Sequence, residues 1–170
     1  LVGPEFRLGR HRKADFAFIQ TFCEANRVVC EAFAPFRLDG EIVSSNLIRS
    51  NLNDGQVERA AKLLGRPFSL EGEIQHGKQI GRKLGFPTAN LIPEPLQLLP
   101  RFGVYATRVF LENQVLMGVT NVGTRPTFEL DAAPNVETLI LDFDDKIYHE
   151  TIRIEFMKFL RPERRFEQVE

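Results

Sequence analysis

The spacing of apolar residues predicts two helices and a short strand in the first third of the chain. Residues 16–25 repeat apolar positions at helical spacing behind Asp15, a side chain suited to an N-cap. Residues 28–33 form a short apolar run of the kind found in strands. Residues 54–64 return to helical spacing, and Pro67 prevents that helix from continuing.

After Pro67 the pattern changes to short β-prone runs with tight connections. The last run alternates cleanly, with Ile152, Ile154 and Phe156 on one face and polar residues on the other. We expect a mainly β domain over residues 66–170, folded as a closed antiparallel barrel, because closure removes exposed strand edges. The expected strands cover residues 68–75, 104–111, 115–121, 136–143 and 151–159, with a hairpin turn at residues 112–114.

Composition excludes several classes of protein for this chain of 170 residues. Lys and Arg total 22 against 23 for Asp and Glu, so no basic field predicts a nucleic-acid partner. No apolar run approaches the roughly 20 residues of a membrane span, and no leader is evident. Cys23 and Cys30 lack CxxC spacing and are expected to be buried thiols of a cytoplasmic protein. The first and last residues are typical of a fragment of a longer protein.

One glycine-rich segment, HGKQIGRKLGFPTANL at residues 76–91, combines flexible backbone with positive charge. Its glycines allow backbone N–H groups to converge on an anion, and its cations add attraction. A surface hairpin with solvated cations would look the same, and the spacing excludes a Walker loop. The residues concerned are Gly77, Gly81, Gly85, Lys78, Arg82 and Lys83.

The end of this segment predicts a pair of metal ligands. If residues 88–90 are extended, Thr88 and Asn90 project to the same side and the small Ala89 to the other. A hydroxyl and an amide oxygen are hard donors that suit Mg²⁺, which completes its shell with water and substrate phosphates. The segment therefore has the parts that a nucleotide–Mg²⁺ site requires.

Five motifs in order give the chain a family resemblance. GRKLGFPTANL, GVYATRV, TNVGTRPTF, VETLILDF and FLRPERRF, from about Leu64 to the end, resemble riboflavin kinase. More closely, they resemble the C-terminal half of the bacterial bifunctional riboflavin kinase/FAD synthetase. The resemblance implies a six-stranded Greek-key barrel, which agrees with the five or six strands that the pattern predicts.

The first third resembles the end of the FAD synthetase domain of the same family. LVGPEFRLGRHRKADF and IVSSNLIRSNL match its late segments, so residues 1–65 are interpreted as a partial α/β nucleotidyltransferase (FMN adenylyltransferase) domain. By resemblance, Ser44, Ser45 and Arg49 contact ATP in an intact enzyme. The front half of that domain is not in this sequence, so we expect no FAD synthesis from this chain.

The resemblance implies transfer of the ATP γ-phosphoryl group to the 5′-hydroxyl of riboflavin, giving FMN and ADP. It assigns Mg²⁺ and phosphate to Thr88 and Asn90, the catalytic base to Glu137 and flavin contact to Arg161, with Arg125 as an additional phosphate ligand. The C-terminal helix that closes over flavin in the family is expected to be truncated here. The residues placed around the nucleotide are Gly77, Gly81, Arg82, Lys83, Thr88 and Asn90.

Two questions stay open at the level of sequence. Glu137 alternates with Leu139 along the expected strand. If the face with Glu137 and Leu139 points into the barrel, burial makes Glu137 a stronger base. If Val136 and Ile140 point inward instead, Glu137 is solvated. The second question is function, because small barrels also serve as binding scaffolds. A folded but inert ligand-binding fragment is the alternative, and the oligomeric state is undetermined.

Overall fold

The computed structural model describes residues 6–75, 88–94, 96–124, 134–145 and 147–163. The chain divides into two compact units, Leu1–Ser44 and Ser45–Glu170. Nowhere in the described ranges does a helix combine the length and the apolar character that crossing a bilayer demands.

The first unit contains the predicted N-terminal helix. Helix α1 (Phe16–Ala25) begins as expected, with Asp15 Oδ1 accepting a hydrogen bond from the Phe18 N–H at 3.1 Å. A two-stranded ribbon follows, β1 (Arg37–Leu38) and β2 (Glu41–Ile42). The prediction of a strand at residues 28–33 is wrong. These residues form no named strand, and Val29 is 87% exposed.

The cysteines of this unit depart from the sequence prediction. Cys23 and Cys30 are both free, and both are half-exposed rather than buried. Their chain positions, one late in α1 and one in the irregular segment after it, lie near the surface of this small unit.

The second unit is the predicted barrel, preceded by two helices. Its six strands are antiparallel and close in the order β3-β4-β7-β6-β5-β8. Three consecutive strands, β5 to β7, form a meander, and β4 lies beside β7, which is a Greek-key arrangement. The prediction of a six-stranded Greek-key barrel is confirmed. The elements are α2 (Ser45–Asn53), α3 (Val57–Leu64), β3 (Phe68–Gln75), β4 (Thr88–Leu91), β5 (Gly103–Leu111), β6 (Gln114–Thr124), β7 (Pro134–Ile140) and β8 (Thr151–Arg161).

Alternating apolar residues fill the barrel. Ile152, Ile154 and Phe156 face inward as their period predicts, and each is at most 1% exposed. The rings of Phe156 and Tyr105 meet edge to face with centroids 5.1 Å apart. Glu112 has a positive φ of 49° in the predicted hairpin between β5 and β6.

Helices α2 and α3 pack against the barrel. Leu52 and Val57 are fully buried, and Leu52 O accepts a hydrogen bond from the Arg101 N–H at 2.8 Å. Gly65, with φ 72°, ends α3 in the left-handed conformation, as its position suggested. The compact unit that contains the barrel thus starts at Ser45. The boundary predicted from the change in sequence pattern lies later, after residue 65. The domain boundary of an intact protein stays a prediction.

Gly103 opens β5 at a position where a side chain does not fit. Its φ is 154°, and a Cβ there would lie 2.6 Å from Arg161 O and 2.6 Å from the Phe159 ring. We expect Gly103→Ala to lower the free energy of unfolding by about 3 kcal/mol, measured by chemical denaturation. Gly65→Ala is the control, because its φ is also positive but no atom of the described residues lies within 4 Å of the added methyl group. Equal losses in the two variants would show that the contact at Gly103 has no effect.

Tyr105 makes stability sensitive to alkaline pH. Its hydroxyl donates to Arg101 O, and burial raises the pKa of Tyr105 to about 12 from 10.0. The raised folded-state pKa contributes stability that is complete below pH 10 and is lost as the pH rises from 10 to 12. We expect a loss on the order of 1 kcal/mol at pH 11, measured by urea unfolding. Tyr105→Phe should remove this part of the slope; an unchanged slope would contradict the assignment.

Candidate active site

The outer face of three neighbouring strands carries a row of polar side chains. Asn90 of β4 and Asn121 of β6 lie directly opposite Glu137 of β7, on either side of it. Residues directly opposite each other in an antiparallel pair share a face. The flanking Val136 and Thr138 are fully buried in the barrel, so Glu137 points outward and is exposed. Of the two orientations that the sequence left open, the structure therefore shows the one in which Glu137 is solvated and Val136 and Ile140 face inward.

A cleft of about 320 Å³ opens on this face. It combines an apolar patch of Val104, Val119 and Leu139 with hydroxyl, amide and charged groups around it. Such a surface suits a ligand that has both a flat apolar part and hydrogen-bonding groups. The lining residues are Thr88, Val104, Val119, Asn121, Glu137, Leu139, Arg161 and Glu163.

Asn90 is the most unusual polar residue near the cleft. It is 4% exposed, and within the described part of the chain neither its Oδ1 nor its Nδ2 has a hydrogen-bond partner. A buried amide without partners is costly and needs an explanation such as a ligand or ion. Strand β4 is extended, so Thr88 and Asn90 share a face and Ala89 faces the interior, as the sequence predicted.

Glu137 is held by a residue that the sequence reasoning missed. Asn135 Nδ2 donates to Glu137 Oε1 at 2.8 Å, and Asn135 is 7% exposed. The two residues are two apart on one strand, which places both on the same face. That spacing was the available signal. The amide orients the carboxylate while the carboxylate stays open to the cleft.

A second carboxylate, Glu163, lies in the cleft and was also missed. Its Oε1 sits so close to Gly123 that a Cβ at that position would be 2.2 Å away. Arg161, half-buried at the end of β8, lines the same cleft and donates to Pro162 O at 3.1 Å. The spacing of Arg161 and Glu163, two apart at the end of the last strand, was the signal in the sequence.

Several residues assigned by resemblance lie outside this cleft or outside the described residues. Ser45 begins α2, with Ser44 just before it, and Arg49 is exposed on that helix. Within the described ranges, His, Cys, Asp and Glu form no cluster of three or more able to hold a metal ion. The assignments outside the described residues are Gly77, Gly81, Arg82, Lys83 and Arg125.

Known proteins similar to this chain share its sequence over most of its length. Residues 64–170 match the Flavokinase family, described as riboflavin kinase. A bifunctional riboflavin kinase/FMN adenylyltransferase from Pseudomonas fluorescens is 37% identical over 169 residues, covering 99% of this chain and 54% of the relative. The Bacillus subtilis (strain 168) protein of the same description is 38% identical over 168 residues, covering 98% and 53%.

A solved structure is also similar. A crystal structure described as a macrolide-efflux protein from Streptococcus pneumoniae has a TM-score of 0.82 and 29% identity, covering 98% of this chain and 53% of that one. The description concerns the pneumococcal protein. The chain spans about half the length of the curated relatives it matches. Since the Flavokinase match covers more than half of the chain, the chain belongs to the riboflavin kinase family.

Proposed function

We propose that this chain is an ATP-dependent riboflavin kinase, which transfers the γ-phosphoryl group of ATP to the riboflavin 5′-hydroxyl. The products are FMN and ADP. The observation that carries the proposal is the outward carboxylate of Glu137, directly opposite a buried amide, Asn90, whose polar atoms lack partners within the described residues. The family match and the relatives' descriptions support it.

Glu137 is the proposed base. As the riboflavin oxygen bonds to phosphorus and the bond to the ADP oxygen breaks, the hydroxyl proton passes to the carboxylate. Asn135 holds Oε1 by its 2.8 Å hydrogen bond, so the carboxylate is oriented before substrate arrives. Because phosphoryl transfer depends mainly on positioning and electrostatics, such orientation contributes directly to the rate.

Thr88 and Asn90 are the proposed protein ligands of Mg²⁺ and the phosphates. The fit rests on the chemistry of the donors: a hydroxyl exposed at the cleft and an amide oxygen that has no partner in the described part of the chain. When bound, the ion offsets negative charge on the phosphoryl group being transferred. The buried amide is costly in the free protein and becomes satisfied when the ligand binds.

The cleft supplies the proposed riboflavin site. Val104, Val119 and Leu139 offer apolar contact to a flat ring system, and Arg161 offers a planar guanidinium for hydrogen bonding or stacking. Gly77, Gly81, Arg82 and Lys83 are proposed to surround the nucleotide. Free thiols at Cys23 and Cys30 fit a reducing compartment, so we propose a cytoplasmic enzyme.

The adenylyltransferase assignment concerns a longer protein. Ser44, Ser45 and Arg49 are proposed ATP contacts of an intact bifunctional enzyme, as the relatives' descriptions suggest. We do not propose FAD synthesis for this chain.

The proposed kinase activity is tested by measuring its products by chromatography. The chain is incubated with riboflavin, ATP and Mg²⁺, and FMN and ADP are quantified. Equal amounts of FMN and ADP, formed only with all three additions, support the kinase. Riboflavin or ADP binding without turnover would establish the inert ligand-binding fragment instead, and neither binding nor turnover would overturn both.

A further inference from the structure

Three buried threonine hydroxyls form a hydrogen-bonded chain across the barrel interior. Thr107 Oγ1 lies 2.9 Å from Thr120 Oγ1, which lies 2.9 Å from Thr138 Oγ1. All three residues are 0% exposed. We call Thr107, Thr120 and Thr138 the threonine ladder; it links β5, β6 and β7, the meander of the Greek key.

The ladder depends on the absence of a side chain at Gly118. Thr120 and Thr138 are direct cross-strand partners, but Thr107 lies opposite Gly118 and reaches Thr120 diagonally. A Cβ at Gly118 would be 3.1 Å from Thr107 Oγ1 and 3.1 Å from the Thr138 methyl group. Such contacts are tight, so glycine leaves the space that the diagonal hydrogen bond needs.

Stability alone does not explain why the barrel holds hydroxyl groups here. Valine has nearly the same shape as threonine, and the net gain from a buried hydrogen bond is small because water bonds are lost. Distance is the property that valine cannot reproduce. Hydroxyl oxygens approach to 2.9 Å, whereas carbon atoms pack at about 3.5–4.0 Å, so valines at these positions would have to repack the inner face of strands that their backbone hydrogen bonds keep paired.

The ladder lies directly behind the cleft. Thr138 is flanked by Glu137 and Leu139, and Thr120 by Val119 and Asn121, and all four of these neighbours line the cleft. Because side chains alternate along a strand, repacking of the inner face changes the local twist of the strands and so the direction of the side chains on their outer face. We propose that the threonine ladder is a positioning device for the kinase reaction. It fixes the direction in which the Glu137 side chain projects from β7 into the cleft.

This inference rests on the proposed function, and its test separates the two. The triple variant Thr107→Val, Thr120→Val, Thr138→Val leaves no hydroxyl of the ladder unpaired, so we expect cooperative unfolding close to that of the parent chain. We expect kcat for FMN formation to fall about tenfold with KM for riboflavin and ATP within about twofold. Thr120→Ser, which keeps the hydroxyl, should retain most of kcat, and Thr151→Val, at an exposed site on β8, should leave it unchanged.

A folded triple variant with parental kcat would overturn the inference, as would equal kcat values for Thr120→Val and Thr120→Ser if the triple variant does not fold. Backbone amide chemical shifts of residues 137 and 139, on the strand next to the substituted one, provide a measurement independent of activity. We expect them to shift in Thr120→Val and much less in Thr120→Ser. An inactive parent chain would overturn the proposed function, while these amide shifts would still decide the inference.

Discussion

Glu137→Gln is expected to lower the rate of FMN formation by about a thousandfold. Glutamine keeps the shape of the side chain and an oxygen that accepts the hydrogen bond from Asn135 Nδ2, now 2.8 Å from Glu137 Oε1. It cannot take the proton of the riboflavin hydroxyl. The effect should appear in kcat with little change in KM, because proton transfer occurs in the transition state.

The measurement is the rate of FMN and ADP formation at saturating substrates, followed by chromatography. Glu112→Gln is the matched control, since Glu112 is an exposed carboxylate in the hairpin turn between β5 and β6. Unfolding curves of both variants establish that they fold. A folded Glu137→Gln variant with parental kcat would remove Glu137 from the chemistry and leave Glu163 as the remaining carboxylate of the cleft.

Asn90→Leu is expected to change activity and stability in opposite directions. Turnover should fall about a hundredfold, and half-maximal turnover should need a higher Mg²⁺ concentration, because an oxygen ligand for the ion and phosphates is removed. Without ligands the variant should be more stable by about 1 kcal/mol. The buried amide of Asn90 has no hydrogen-bond partner within the described residues, and leucine of similar size avoids that cost.

Turnover is measured as a function of Mg²⁺ concentration, and the free energy of unfolding by urea titration without nucleotide. Asn113→Ala, in the exposed hairpin turn, serves as the control for losing an asparagine. Parental turnover in Asn90→Leu would exclude the residue from the proposed metal site. A clear loss of stability in the ligand-free variant would show that the amide makes favourable contacts in the free protein.

Local chemistry made part of the fold predictable. Asp15 is a side chain suited to a helix start, and Gly65 with Pro67 is suited to a helix end, so α1 and the end of α3 were predicted where they occur. Helix α2 was missed because its sequence, SNLIRSNLN, is rich in residues of modest helix propensity. Its buried Leu52, packed against the barrel, supplies stabilisation that no local pattern shows.

The orientation of Glu137 could not be predicted from the apolar pattern of its strand. Apolar residues stand at both parities of β7, with Val136 and Ile140 on one face and Leu139 on the other. Alternation therefore predicted a strand without choosing its inner face. In the closed barrel the face with Val136 is the inner one, so Val136 is completely buried and Glu137 lies on the outside.

By itself the sequence determined the approximate positions of five barrel strands, although β7 ends at Ile140 and not at residue 143, and the extended pair Thr88 and Asn90 with Ala89 opposite. These depend on near neighbours in the chain, whose spacing and backbone preferences are local properties. Only the tertiary structure decided that Glu137 lies across from Asn90 and Asn121, and that Glu163 lies against Gly123. Such contacts join residues far apart in sequence, and they exist only once six strands close and each must place one face inside.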